Sequence, residues 1–178
     1  MKSFKNFLLI IPVLSLLVCC IFCPITTQAA GLYSKYSVLI DADSGRILSG
    51  SNETTAVSMA STTKIMTLII ALENCDKNFV ATTSAYAASM PDVQLNAVKG
   101  EIFSINDLLY SLMLKSHNDT AVIIAENIAL HYLYDGDDKD SMSPETNTDE
   151  QSRMLVLLFA SAMNRKAAEL GCHDTYFI

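Results

Sequence analysis

At 178 residues the chain holds about one domain's worth of sequence, and 51% hydrophobic side chains are enough to build one core. Nineteen acidic against twelve basic side chains give a formal charge of −7, which argues against nucleic acid as a partner. Five cysteines without metal-ligand spacing supply neither a disulfide framework nor a metal site, and nothing in the sequence asks for a cofactor.

The chain begins with a secretory pattern. Lys2 and Lys5 precede an apolar run over 7–23, and Thr27-Gln28-Ala29 offers small residues at a cleavage point. Residues 1–29 therefore read as a signal peptide cut after Ala29, with an uncleaved anchor as the alternative. Cleavage removes two lysines and no acid, taking the formal charge from −7 to −9, and leaves Cys75 and Cys172. The domain over 30–178 is then exported to the cell envelope: the outer face of the cytoplasmic membrane, the periplasm or the exterior.

Residues 37–50 predict two short strands, with Asp43-Ser44-Gly45 supplying the turn between them. A polar connection over 52–58 leads to a helix over 61–74 with Ile65, Leu68, Ile69 and Leu72 at helical spacing. Residues 80–100 are mixed, with a helical piece over 84–89 broken before Pro91. Ser104 caps a second helix, with Asp107 three residues on and Leu108, Leu109, Leu112 and Met113 following. It runs out at Lys115-Ser116-His117-Asn118. A third helix over 119–132 carries Ala121, Val122, Ile124, Ala125 and Ile128 on one face. Over 135–150, Asp135, Asp137, Asp138, Asp140, Glu145, Asp149 and Glu150 predict a solvated, mobile acidic loop, and Gly136 does not fit a calcium-loop spacing. A fourth helix over 150–170 stops at Gly171, and 172–178 reads as the start of a further strand. There is no internal repeat. Two strands alone are marginal in water, so the chain reads as lacking part of its own sheet.

Two short motifs carry chemistry. Ser61 and Lys64 stand three residues apart at the start of an apolar helix, which puts hydroxyl and amine on one face. A serine needs a base, and a lysine serves only when partly neutral, a state favoured by burial and by the positive end of the helix dipole. The alternative is a solvated lysine in a first helical turn. Further on, Ser116 and Asn118 flank a tight connection, where a hydroxyl can relay a proton and an amide can orient the lysine and hold a substrate carbonyl. The alternative there is a helix end and a cap.

Together the motifs resemble the set shared by penicillin-binding proteins and class A β-lactamases: Ser-x-x-Lys, Ser-x-Asn some fifty residues later, then Lys-Thr-Gly. The wording around them resembles the serine D-alanyl-D-alanine carboxypeptidases. It includes Ala60-Ser61-Thr62-Thr63-Lys64-Ile65-Met66-Thr67, Gly100-Glu101, Asp107-Leu108-Leu109 and Ser116-His117-Asn118-Asp119. Upstream stands Val38-Leu39-Ile40-Asp41-Ala42-Asp43-Ser44-Gly45, and downstream Met163-Asn164-Arg165-Lys166-Ala167 with Leu170-Gly171. The resemblance covers roughly 36–178.

It implies an α/β (α+β) fold, the N-terminal part of a penicillin-binding/β-lactamase-like transpeptidase fold, with a helical cluster and two strands of an incomplete antiparallel sheet. It further implies that Ser61 attacks the carbonyl between the two terminal D-alanines of a peptidoglycan stem peptide, with Lys64 as base and a serine-bound acyl-enzyme that water hydrolyses. Ser116 and Asn118 take the proton-relay and substrate-positioning roles, the Ser61 amide gives half of an oxyanion hole, and β-lactam antibiotics acylate the same serine. No cofactor or metal is implied. Family members often carry a membrane-associating C-terminal segment.

The sequence departs from the pattern in two places. His117 stands where a small residue is expected, and is either tolerated or narrows the cleft and adds a group that titrates near neutral pH. No Lys-Thr-Gly follows Asn118, so little or no activity is expected of the 178-residue chain alone. Three rival readings remain: a truncated, non-catalytic remnant that binds wall peptide, a β-lactamase, for which no deacylating glutamate stands out although Glu145 and Glu150 lie in a suggestive stretch, and an exported helical interaction module.

Overall fold

The computed structural model describes residues 34–178, so the expected signal peptide over 1–29 lies outside the described residues. These fall into two units, 34–55 and 56–178. The first is a hairpin of β1 (Ser37–Ile40) and β2 (Ile47–Ser51), antiparallel, with Ser37 opposite Ser51 and an irregularity between Leu39 and Ile40. Its turn forms as the sequence predicts. The Asp41 carboxylate accepts from the Ser44 amide at 2.9 Å, Gly45 takes φ +69°, and its amide closes on Asp41 O at 2.9 Å. Val38, Leu39, Ile40, Ile47 and Leu48 are all more than half exposed, so the hairpin carries apolar side chains without a core of its own.

The second unit is a helical cluster. In chain order it contains a 3₁₀ turn (Ala60–Thr62), α1 (Thr63–Asn74), β3 (Val80–Thr82), a one-turn α2 (Ala85–Ala88), β4 (Ile102–Ser104), α3 (Ile105–Lys115), α4 (Asn118–Ile128) and α5 (Asp149–Glu169). Helix α4 lies at the centre, packed by α1, α3 and α5. Met66 and Ile70 of α1, Leu108 and Leu112 of α3, Ile123, Ile124 and Ile128 of α4, and Leu155 and Phe159 of α5 are buried together. Burying one such side chain contributes about 1.5–3 kcal/mol. Two caps start their helices where the sequence supports them. The Ser104 hydroxyl accepts from the Asp107 amide at 3.1 Å, and Thr148 with Gln151 forms a reciprocal capping box on α5.

Four features differ from the sequence reading. Strands β3 and β4 pair antiparallel over three residues each, Val80 opposite Ser104, too short to leave a period-2 pattern. The Asn127 side chain binds both the amide and the carbonyl of Thr82 at 2.9 Å, tying this ribbon to α4. The third helix keeps α geometry only to Ile128, and Ala129–Leu133 widens into a π turn. The acidic stretch is not wholly solvated: Lys139–Ser141 forms a 3₁₀ turn and Met142 after it is buried. Finally, 172–178 forms no strand. The Asn164 side chain accepts from the Phe177 amide at 2.7 Å and donates to its carbonyl at 2.8 Å, doing for one residue what a neighbouring strand does for several. Among the described residues no helix is long and apolar enough to cross a membrane.

Candidate active site

Ser61 sits exposed in the middle of the 3₁₀ turn, presented by Ala60 at φ +44°, an unfavourable backbone for a residue with a Cβ. The turn is closed by the Thr62 amide donating to Met59 O at 3.2 Å and by the Thr62 hydroxyl on the same carbonyl. Helix α1 starts one residue later, so Lys64 lies in its first turn and faces the same side as Ser61. The Lys64 Nζ stands 3.5 Å from Ser61 Oγ and donates to Asn118 Oδ1 at 2.9 Å. Burial pushes the Lys64 amine below the usual lysine range.

Asn118 opens α4, 54 residues from Lys64. Its side-chain amide donates to Pro91 O and Asp92 O, both at 3.0 Å, and its backbone amide donates to Val93 O at 2.7 Å. One asparagine thus holds the lysine with its oxygen and a loop with its nitrogens. Asp119 holds the same loop from below. Buried to 1% exposure, its carboxylate accepts from Leu95 N at 2.9 Å, Ala97 N at 3.1 Å and Thr120 N at 2.7 Å. Met90 and Pro91 of the loop line an open cleft of about 480 Å³ together with Ser61, Lys64 and Asn118. Thr63, Thr67, Ala121 and Val122 border both this cleft and a larger apolar groove of about 610 Å³ that runs on to Phe159 and Phe177.

The structure therefore brings together Ser61, Lys64 and Asn118 of the four residues singled out from the sequence. Ser116 is hydrogen-bonded to neither Lys64 nor Ser61. It ends α3 in the left-handed region, φ +61°, and its hydroxyl is enclosed with no hydrogen-bond partner. His117 does not line the cleft. Its Nδ1 is 2.8 Å from Ser111 Oγ, so the ring turns towards α3. Sequence reasoning gave Asp119 no role beyond opening a helix. Its signals were an acid in a first helical turn, the ordinary place for one, and its place in the Ser116-His117-Asn118-Asp119 wording.

A lysine whose charged form is disfavoured by burial, a serine 3.5 Å from its amine and an asparagine oxygen that fixes its orientation have the geometry that a nucleophile and its base require. No carboxylate borders the cleft among the described residues.

Residues 24–131 match the D-alanyl-D-alanine carboxypeptidase family. The chain is 31% identical over 149 residues to the D-alanyl-D-alanine carboxypeptidase DacF of Bacillus subtilis, covering 81% of this chain and 32% of the relative. Among solved structures it superposes on a DD-transpeptidase of Streptomyces K15, in an S216A mutant, with a TM-score of 0.65 at 24% identity, covering 84% of this chain and 53% of that one. Penicillin binding protein 6B of Escherichia coli matches with a TM-score of 0.60 at 25% identity, over 87% of this chain and 45% of that one. The chain spans between 32% and 39% of the length of the curated relatives it matches. The mixture of helices and short antiparallel sheets is the N-terminal part of the penicillin-binding fold.

Proposed function

Because the chain belongs to the D-alanyl-D-alanine carboxypeptidase family, we propose that the protein carrying it removes the terminal D-alanine from peptidoglycan stem peptides through a Ser61 acyl-enzyme. The observation that supports this most directly is the Lys64 amine, held by Asn118 Oδ1 at 2.9 Å and standing 3.5 Å from Ser61 Oγ. When the lysine is neutral, donating one N–H to Asn118 turns its lone pair towards the serine. Ser61 Oγ adds to the carbonyl between the two D-alanines while Lys64 takes its proton. The tetrahedral oxyanion receives the Ser61 amide, one of the two donors such a site uses. The C–N bond then breaks, the leaving D-alanine amine takes a proton, and water releases the shortened peptide by the reverse steps.

The relay to the leaving amine falls to Ser116, whose hydroxyl spends no hydrogen bond in the resting structure and, being enclosed, has to turn into the cleft to serve. Asn118 serves first to orient Lys64 and to hold the 91–93 loop, because Pro91 O and Asp92 O take both N–H groups of its side chain. A contact with the substrate carbonyl requires it to release one of them. A second oxyanion donor has to come from a strand beside the serine, and no Lys-Thr-Gly occurs in this sequence. One such donor is worth about 10²–10³ in rate.

β-Lactams are covalent inhibitors on this reading, since they present the same acyl group to Ser61. The substrate lies outside the cytoplasm, which the basic start and the apolar run over 7–23 support as an export route. Membrane association beyond that belongs to the same proposal. The β-lactamase alternative is disfavoured by a cleft without a bordering carboxylate, as neither Glu145 nor Glu150 lines it.

The test is the intact mass of the protein isolated from its own cell envelope, with and without benzylpenicillin, beside release of D-alanine from a diacyl-D-alanyl-D-alanine peptide. One penicilloyl unit, lost in Ser61→Ala, is expected together with D-alanine release. A protein that takes no adduct and releases none sinks the catalytic reading and leaves the wall-binding remnant.

A further inference from the structure

The corner between α3 and α4 has two residues, and both are unusual. Ser116 adopts φ +61°, ψ +32° without being glycine, and His117 follows in extended geometry at the N-cap of α4. A residue there ordinarily offers its side chain to the exposed amides of the helix, but His117 makes no such cap. Its ring also stays out of the cleft. Nδ1 lies instead 2.8 Å from Ser111 Oγ on α3, and Ser111 Oγ lies 3.1 Å from Thr120 Oγ1, a fully buried hydroxyl in the first turn of α4. The three side chains staple the end of α3 to the start of α4, with Asn118 between His117 and Thr120 in sequence.

We propose that His117 is a positioning residue for the Lys64–Asn118 pair, acting through its hydrogen bond to Ser111. The proposal rests on the carboxypeptidase reading for what the pair does, though not for the geometry. The other polar contacts of Asn118 go to Lys64 and to the 91–93 loop, and that loop hangs from Asp119, one residue along the same helix. The Lys64 contact ties α4 to α1 and the loop contacts move with α4, so no polar contact of Asn118 itself fixes it against α3. The staple adds that polar link to the apolar packing of Leu108 and Leu112 against α4. An asparagine oxygen that must sit 2.9 Å from an amine tolerates about 0.5 Å of drift, and a misplacement of about 1 Å costs about a hundredfold in rate.

The experiment compares His117→Ala, His117→Asn, His117→Gln, Ser111→Ala and the double His117→Ala/Ser111→Ala in the protein with its natural termini. Three quantities are read: hydrogen exchange of the Asn118 amide against that of Leu112 in α3, the rate at which trinitrobenzenesulfonate modifies Lys64, and the rate of Ser61 acylation by benzylpenicillin. His117→Ala and Ser111→Ala are each expected to speed Asn118 exchange, change Lys64 modification and slow acylation about ten- to a hundredfold, with Leu112 unchanged. His117→Asn restores all three, because its amide places a polar atom where Nδ1 stands, while His117→Gln does not. The double variant is no worse than either single one, as for two residues acting through one bond. Wild-type behaviour of His117→Ala in exchange and Lys64 modification, or additive losses in the double variant, overturns the proposal. If the wild type takes no penicilloyl group, the carboxypeptidase reading fails, and exchange with Lys64 modification still decides the role of His117.

Discussion

Replacing Glu126 with glutamine removes one proton-binding group from the centre of the helical unit and little else. The residue is fully buried on α4, and its Oε2 accepts from Ser84 Oγ at 2.7 Å. Its Oε1 has no partner, and Ser152 Oγ, beside the carboxyl, closes no hydrogen bond of good geometry. Burial pushes the carboxyl above the usual glutamate range, and the hydroxyls of Ser152 and Ser84, which favour the charged form, do not reverse it. The folded state therefore keeps this proton at pH values where the unfolded chain has released it. The stability so gained is complete below the ordinary glutamate value and is lost as pH rises through the raised one. Within that window the loss approaches about 1.4 kcal/mol per pH unit, and above it the curve is level. Glutamine fits the same space, still accepts from Ser84, and offers an N–H to the unmatched hydroxyl of Ser152. Urea unfolding followed by circular dichroism from about pH 5 to about pH 8 should show wild type losing stability relative to Glu126→Gln as pH rises. A difference that does not change with pH, or one that grows in favour of wild type, refutes the argument.

Lys64 gives a pH effect on the reaction. With its amine lowered by burial, acylation of Ser61 should rise with pH along a limb below that of an ordinary lysine, and Lys64→Arg should remove both limb and acylation, since a guanidinium stays charged. Stopped-flow acylation by benzylpenicillin reads it. Asp119→Ala leaves the amides of Leu95, Ala97 and Thr120 without their acceptor, so about 3 kcal/mol of stability and the wall of the cleft should go together, in urea unfolding and in acylation. Phe159→Ala, at 2% exposure, should cost about 3–5 kcal/mol by urea unfolding, and a loss under about 1 kcal/mol contradicts its place in the core. Thr148→Ala breaks the capping box on α5 and should cost about 1 kcal/mol by the same assay.

The helices were legible because each carries its own evidence. Ser104 with Asp107 and the leucines after them announce α3 without any knowledge of the rest, and the Asp41–Gly45 turn is equally local. What escaped was structure fixed from elsewhere. The extended segment at 172–178 has the side chains of a strand, Thr175, Tyr176, Phe177 and Ile178, and reads as one until its neighbour is known. The neighbour among the described residues is the single side chain of Asn164. In the π turn at Ala129–Leu133 the apolar pattern continues while the backbone widens, and composition does not register the change.

The site divides along the same line. Ser61 and Lys64 are three residues apart, and helical geometry alone puts them on one face. That Asn118 joins them was one of two open readings of its corner until the resemblance chose between them, since no local rule spans 54 residues. The residues that hold these three in place left almost no mark. Asp119 reads as an acid at a helix start, yet its charge is spent on amides 22 and 24 residues earlier in the chain. His117 reads as an intrusion into a motif, yet its ring reaches back to Ser111. A reacting group is chosen for its chemistry, which a sequence spells out. A supporting group is chosen for where its partners happen to be, and any polar residue of suitable length serves. The same logic explains Ser116. Its motif predicts a hydroxyl at the lysine, but a left-handed backbone and an enclosed Oγ leave it uncommitted. For such a residue the identity is legible and the conformation is not, because the conformation belongs to the corner that Ser111, His117 and Thr120 build.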